Sequence, residues 1–118
     1  MGTSRIEHIV LYSFADPESL LEATKVIKGL EKNALRNGQP YILGIKCGTT
    51  RPAARVRSRG YNLASVATFA SEEDRIYFVT QDPAHQELVA FVQGKLGCDI
   101  LVLDFVDGEA NAVRAEDC

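Results

Sequence analysis

Tryptophan is absent from this sequence, and no apolar run approaches the roughly 20 residues that a membrane-spanning helix needs. Cysteine is scarce: Cys47, Cys98 and Cys118 are odd in number and widely spaced. That pattern sets aside a disulfide framework and a zinc site, and it fits a reducing compartment. Positive charge is also in deficit, with 13 Lys and Arg against 16 Asp and Glu for a net charge of −3. A nucleic-acid binder normally rests on a basic surface, so that class is set aside. Met1 to Arg5 carry no apolar signal region, and Ile6 stands where a myristoylation pattern wants Ser or Thr. The two histidines lie far apart and make no ligand motif, and there is neither a phosphate-cradling glycine loop nor a dinucleotide fingerprint. The expectation is a cytoplasmic protein without metal, cofactor, membrane or nucleic acid.

What remains is an ordinary globular composition, 46% hydrophobic and 25% charged over 118 residues. One domain over residues 1–107 is expected, followed by a flexible polar tail over 108–118. Arg5–Phe14 is β-rich and apolar on both faces, as a central strand covered twice would be. Asp16-Pro17-Glu18 opens a helix with an N-cap, a first-position proline and an early acid. Leu20, Ala23, Ile27, Leu30 and Ala34 form its apolar stripe, and Asn37-Gly38 is expected to end it. Pro40–Gly48 and Tyr61–Ala70 read as further strands, joined by a polar loop that carries Arg51, Arg55, Arg57 and Arg59. That loop is either a solvated connection or a lid bringing positive charge to an anionic substrate. Ser71 caps a short helix with Asp74 reaching back. Asp82-Pro83 opens another helix, running to about Leu96-Gly97, before a last strand at Asp99–Val106.

The order β-α-β-β-α-α-β is that of a ferredoxin-like α+β fold, one four-stranded antiparallel sheet with helices on one face. The strands are apolar on both faces, yet there are helices enough for one. A second copy is the simplest cover, which predicts a homodimer with sheets face to face.

Within this frame a few polar residues fall in apolar places. His85 shares a helical stripe with Leu88, Val89, Val92 and Leu96, near the helix N-terminus. Asp104 interrupts the last strand on the face of Ile100 and Val102, where an ionised carboxylate is costly without a partner. On the first strand His8, Val10 and Tyr12 point the same way. These positions allow a constellation of His85, Asp104, His8 and a tyrosine, in which the carboxylate orients an imidazole that serves as general base or acid. They equally allow a buried structural Asp–His hydrogen bond.

His8-Ile9-Val10-Leu11-Tyr12-Ser13-Phe14, Gly60-Tyr61-Asn62 through Phe69-Ala70-Ser71-Glu72-Glu73-Asp74, Asp82-Pro83-Ala84-His85 and Leu103-Asp104-Phe105 occur in that order. Together they resemble the stress-responsive dimeric α+β barrel (Dabb) domain family over Arg5 to Val106, with wording similar to its fungal members. The resemblance implies a β-barrel dimer with a pocket in each subunit between sheet and helices. Plant polyketide cyclases of the olivetolic acid type, in this family, close a poly-β-ketone by aldol condensation. By that likeness His85 is the catalytic histidine, Asp104 the aspartate that hydrogen-bonds it and His8 a pocket histidine. The family's catalytic tyrosine falls between Tyr77, Phe78 and Val79, because this chain has one residue more before Pro83. Asp82 also replaces the histidine that many relatives carry there.

The leading expectation is cofactor-independent acid/base chemistry on an aromatic or polyketide-like carbonyl substrate: cyclisation, dehydration or a related proton transfer. His85 held by Asp104 is the expected base, with Tyr77 or Tyr12 and His8 stabilising the oxyanion. Tyr12, Phe69, Phe78, Val89 and Phe91 form the expected substrate-binding wall. A non-catalytic stress-responsive or ligand-binding dimer is the alternative, and a cofactor-independent oxygenase a third reading.

Overall fold

The computed structural model describes residues 4–51, 56–96 and 100–110. Cys98, Cys118, Arg55, Asp99 and residues 111–118 of the expected tail lie outside the described residues. The four-stranded antiparallel sheet has the order β4-β5-β1-β6, from β1 (Ile6–Tyr12), β4 (Ile42–Thr49), β5 (Leu63–Phe69) and β6 (Leu101–Phe105). Helices α1 (Pro17–Asn33), α2 (Glu72–Thr80) and α3 (Pro83–Val92) complete the ferredoxin-like arrangement. Among the described residues no helix is long and apolar enough to cross a membrane.

Each helix begins where its cap is. Asp16 accepts a hydrogen bond from the Ser19 N–H at 2.9 Å, Ser71 from Asp74 at 3.1 Å and Asp82 from Ala84 at 2.8 Å. Asp74 does not reach back to its cap; its carboxylate holds Arg36 at 2.6 Å. The helix ends differ more. α1 stops at Asn33 instead of Asn37-Gly38, because Asn37 and Gly38 have φ of 55° and 75°. Two positive φ values in succession make a tight hairpin turn, joining β2 (Leu35–Arg36) to β3 (Gln39–Pro40). α3 ends at Val92, short of Leu96, with Gly94 at φ 79° turning the chain. Leu96 instead bridges to Phe14.

Strand alternation divides the sheet into two faces. On the helix side, β1 contributes Ile6, His8, Val10 and Tyr12, and β5 contributes Leu63, Ser65, Ala67 and Phe69, all buried. Ala23, Ile27 and Leu30 of α1 and Leu88 and Val92 of α3 close over them. On the far side Leu101, Leu103 and Phe105 are 45%, 56% and 48% exposed. An apolar row of this kind beside the half-buried Ile9 and Leu11 is a face left uncovered among the described residues. Edge strand β4 is tied down by α1: Glu31 accepts from the Ile45 N–H at 2.6 Å, and Lys28 donates to the Ile45 carbonyl.

Candidate functional site

Between the sheet and the helices lies a cavity of about 380 Å³, within the range of small-molecule sites. Its lining is apolar except for His8, Tyr12, Ser65, Arg75 and His85. It opens between α3 and β6, where Val89, Ile100 and Val102 are 41%, 39% and 46% exposed. α3 packs on α1, and among the described residues the helices leave much of the last strand open, with Arg75 of α2 reaching Asp104.

His8 and Asp104 stand opposite one another in the β1–β6 register, both directed to the helix side. The imidazole Nδ1 and a carboxylate oxygen are 2.7 Å apart, with side chains 5% and 28% exposed. An ionised carboxylate only accepts, so Nδ1 carries the proton and Nε2 is the nitrogen left to the cavity. Behind the pair, Arg75 on α2 brings Nη1 to 3.6 Å from the other Asp104 oxygen, and Glu72 fixes Arg75 from the preceding turn at 2.9 Å. The result is a continuous Arg75–Asp104–His8 chain that ends at the cavity.

His85 reaches the same end of the cavity from the first turn of α3. Its ring centroid lies 4.5 Å from that of Phe78, and the His8 centroid is 6.0 Å from Phe78 on its own side. Burial, reinforced by the neighbouring His8 and partly offset by Asp82, holds the His85 pKa below its ordinary value. Asp82 sets where this helix starts. It is 1% exposed, caps Ala84 and receives the Tyr41 hydroxyl. Burial and that contact raise the Tyr41 pKa far above its usual range. Deeper along β1, burial pushes the Tyr12 hydroxyl up to about 12, with the Ser65 hydroxyl nearby on β5 partly offsetting it.

Of the residues singled out from sequence, His8, His85, Tyr12, Phe78 and Val89 line the cavity, with Asp104 directly behind His8. The pairing differs from expectation. Asp104 engages His8, not His85, because strand register seats the first two as direct neighbours while His85 hangs from a helix. Tyr77 does not line the cavity: its hydroxyl donates to the Leu35 carbonyl at 3.1 Å and its ring lies under Arg36. Consecutive helical residues point about 100° apart, and burial turns Phe78 inward instead. Phe69 is fully buried beneath Phe78 and His8 without lining the cavity. Phe91 also stands apart, with the Lys95 ammonium 4.6 Å above its ring. Arg51, Arg57 and Arg59 are exposed and line none of it; the guanidinium that does belongs to Arg75. Sequence reasoning passed over Arg75 and Ser65. Arg75 precedes Phe78 by one helical turn, and Ser65 falls at an inward position between Leu63 and Ala67, so both were readable from periodicity. Among the described residues no group of His, Cys, Asp and Glu is placed to hold a metal.

Residues 6–107 match the Stress responsive A/B Barrel Domain (Dabb) family. A fusaristatin A biosynthesis cluster protein from Gibberella zeae is 28% identical over 106 residues, covering 90% of this chain and 75% of that protein. Among solved structures, hydroxynitrile lyase from Passiflora edulis is similar with a TM-score of 0.72 at 22% identity, over 92% of this chain and 98% of that one. A dimeric ferredoxin-like protein of unknown function from Thermobifida fusca gives a TM-score of 0.70 at 20% identity, over 88% and 92% of the two chains. At such identities the structural likeness speaks for the fold alone.

The His85 environment has a measurable consequence. Its folded pKa lies below the unfolded value of about 6.5, so the unfolded chain binds more protons in the interval between them. The stability from keeping His85 neutral is therefore complete above pH of about 6.5 and is lost as pH falls toward the folded pKa. NMR titration of the imidazole should place His85 below about 6.5, and denaturant unfolding of His85→Gln should lose part of the wild-type decline in stability over that interval. A His85 titrating above about 6.5 contradicts the described environment.

Proposed function

This chain belongs to the stress responsive A/B barrel (Dabb) domain family, and from that premise we propose that it is a small-molecule enzyme. It moves protons on a carbonyl substrate held in the cavity, by cyclisation, dehydration or a related step on an aromatic or polyketide-like molecule. The observation that carries the reading is a buried imidazole locked by a carboxylate, facing an apolar cavity of about 380 Å³ beside a second imidazole kept neutral. Likeness to a biosynthesis cluster protein supports a biosynthetic setting.

The geometry supports roles that differ from the family analogy. His8, with Nδ1–H held by Asp104, presents the Nε2 lone pair and removes a proton from the carbon next to the carbonyl. The C–H electron pair moves to the carbonyl oxygen as an enolate. The N–H of neutral His85 and the Arg75 guanidinium, both lining this end, stabilise that charge. The enolate then attacks a second carbonyl through its carbon, or re-forms the ketone as its electron pair makes a double bond to the neighbouring carbon and expels a leaving oxygen from it. The His8 imidazolium, paired with Asp104, returns its proton to the resulting oxyanion. Protons and electron pairs balance among groups already present.

Binding without turnover is the second reading, and one observation favours it: every fully enclosed side-chain polar atom of the described residues has a partner, and the His8 Nδ1–Asp104 contact is made without a substrate. Hydrogen–deuterium exchange at the carbon beside the carbonyl of an aryl ketone, followed by NMR in D2O, separates the two. The wild type should accelerate exchange over buffer, and His8→Ala should lose ~10²–10⁴-fold while staying folded. No acceleration by wild type, or full rate in folded His8→Ala, removes the catalytic assignment.

The uncovered face of Leu101, Leu103 and Phe105 supports pairing with a second copy, as in the dimeric structural relative. Light scattering on the eluting protein should give twice the 12.9 kDa chain mass, and Leu103→Asp should return it to 12.9 kDa. A wild-type monomer at micromolar concentration contradicts the pairing.

A further inference from the structure

The polar side chains of the cavity fall into two separate groups. His8, Arg75 and His85 gather at one end around Phe78 and Asp104. Tyr12 lies four residues farther along β1, about 13 Å away at the backbone for a strand rising ~3.3 Å per residue. Ser65 pairs in register with Val10 and stands diagonally across from Tyr12, within reach of its hydroxyl. The wall between the groups is apolar, from Val10, Ile27, Leu88 and Val92.

We propose that the Tyr12–Ser65 hydroxyl pair is a distal subsite that receives an oxygen of the substrate. The molecule taken is then elongated, apolar in its middle and oxygenated at both ends. This rests on the cavity being a small-molecule site, as set out under the proposed function, and it narrows the substrate class of that site.

Three observations support it. Tyr12 and Ser65 are 4% and 6% exposed, and hydroxyls buried that deeply are costly unless hydrogen-bonded. Two hydroxyls hold two donors and several acceptor lone pairs, and contact between them can use at most one donor and one acceptor of that set. Capacity for a further bond therefore faces the cavity that both residues line. Burial also keeps the Tyr12 hydroxyl protonated at neutral pH, so it remains a donor. A cavity end meant for an alkyl tail would be served better by Phe and Ala, which bury no polar atom.

The test uses the full chain and two rigid probes, 4,4′-dihydroxybiphenyl with an oxygen at each end and 4-hydroxybiphenyl with one, titrated by calorimetry. Wild type should prefer the diol by about 3- to 10-fold, the worth of one neutral hydrogen bond. In Tyr12→Phe and in Ser65→Ala that preference should collapse while affinity for the single-hydroxyl probe is retained. Equal affinities in wild type, or an unchanged preference in both variants, overturn the distal subsite and leave the binding cavity standing. If neither probe binds, the small-molecule reading fails and the subsite with it. Two variants guard against one failing to fold, and Tyr12→Phe conserves the ring that packs on Phe14 at 5.6 Å.

Discussion

The hydrogen bond between His8 and Asp104 joins the first and last strands of the sheet across 96 residues of sequence. Such a charge-assisted bond is worth about 1.5–3 kcal/mol, and removing Asp104 strands the buried imidazole of His8. The pair also fixes the β1–β6 register, because a slip by one residue would turn Asp104 to the far face beside the apolar Ile9 and Leu11 of β1. The same bond selects the His8 tautomer and aims its free nitrogen at the cavity. One contact thus specifies strand pairing and prepares the chemistry.

The cavity exists because the helices cover the sheet unevenly. α1 packs over β4 and β5 and carries α3, and α2 sits against β1 and β5, while β6 stays exposed and leaves Val102 at an open mouth. His85 is brought to that mouth by the start of α3, and the start is set by a buried carboxylate, Asp82, clamped between the Ala84 N–H and the Tyr41 hydroxyl. Asp82, read from sequence as a departure from its relatives, is thus a structural anchor for the helix that carries His85. Depressed basicity in His85 follows from its burial against Phe78 and from the neighbouring His8. Two histidines in one cavity therefore have different characters: one is oriented by a carboxylate, the other kept neutral by burial.

Much of the fold was legible because it rests on local rules. Asp16, Ser71 and Asp82 announce their helices through side-chain caps, and strand alternation puts His8, Val10 and Tyr12 on one face. The uncovered sheet face followed from counting helices against apolar strand faces. The errors arose where two local signals competed or where tertiary register decided. Asn37-Gly38 suits a helix C-terminus and a hairpin turn alike, and only the β2–β3 pairing resolves it. Family spacing pointed to a tyrosine near residue 77, but the helical angle between Tyr77 and Phe78 admits one inward side chain, and Phe78 takes it. The Asp104 partner could not be read from periodicity, since His8 and His85 both face the helix side. The β1–β6 register chose His8.

The account stands most directly on the protonation geometry of His8, which side-chain 15N NMR of the imidazole reports at neutral pH. The prediction is an Nδ1–H tautomer with a bare Nε2, and loss of that preference in Asp104→Ala. A dominant Nε2–H tautomer in the wild type would mean that Asp104 does not hold this ring, and the assignment of His8 as the base facing the cavity would be wrong.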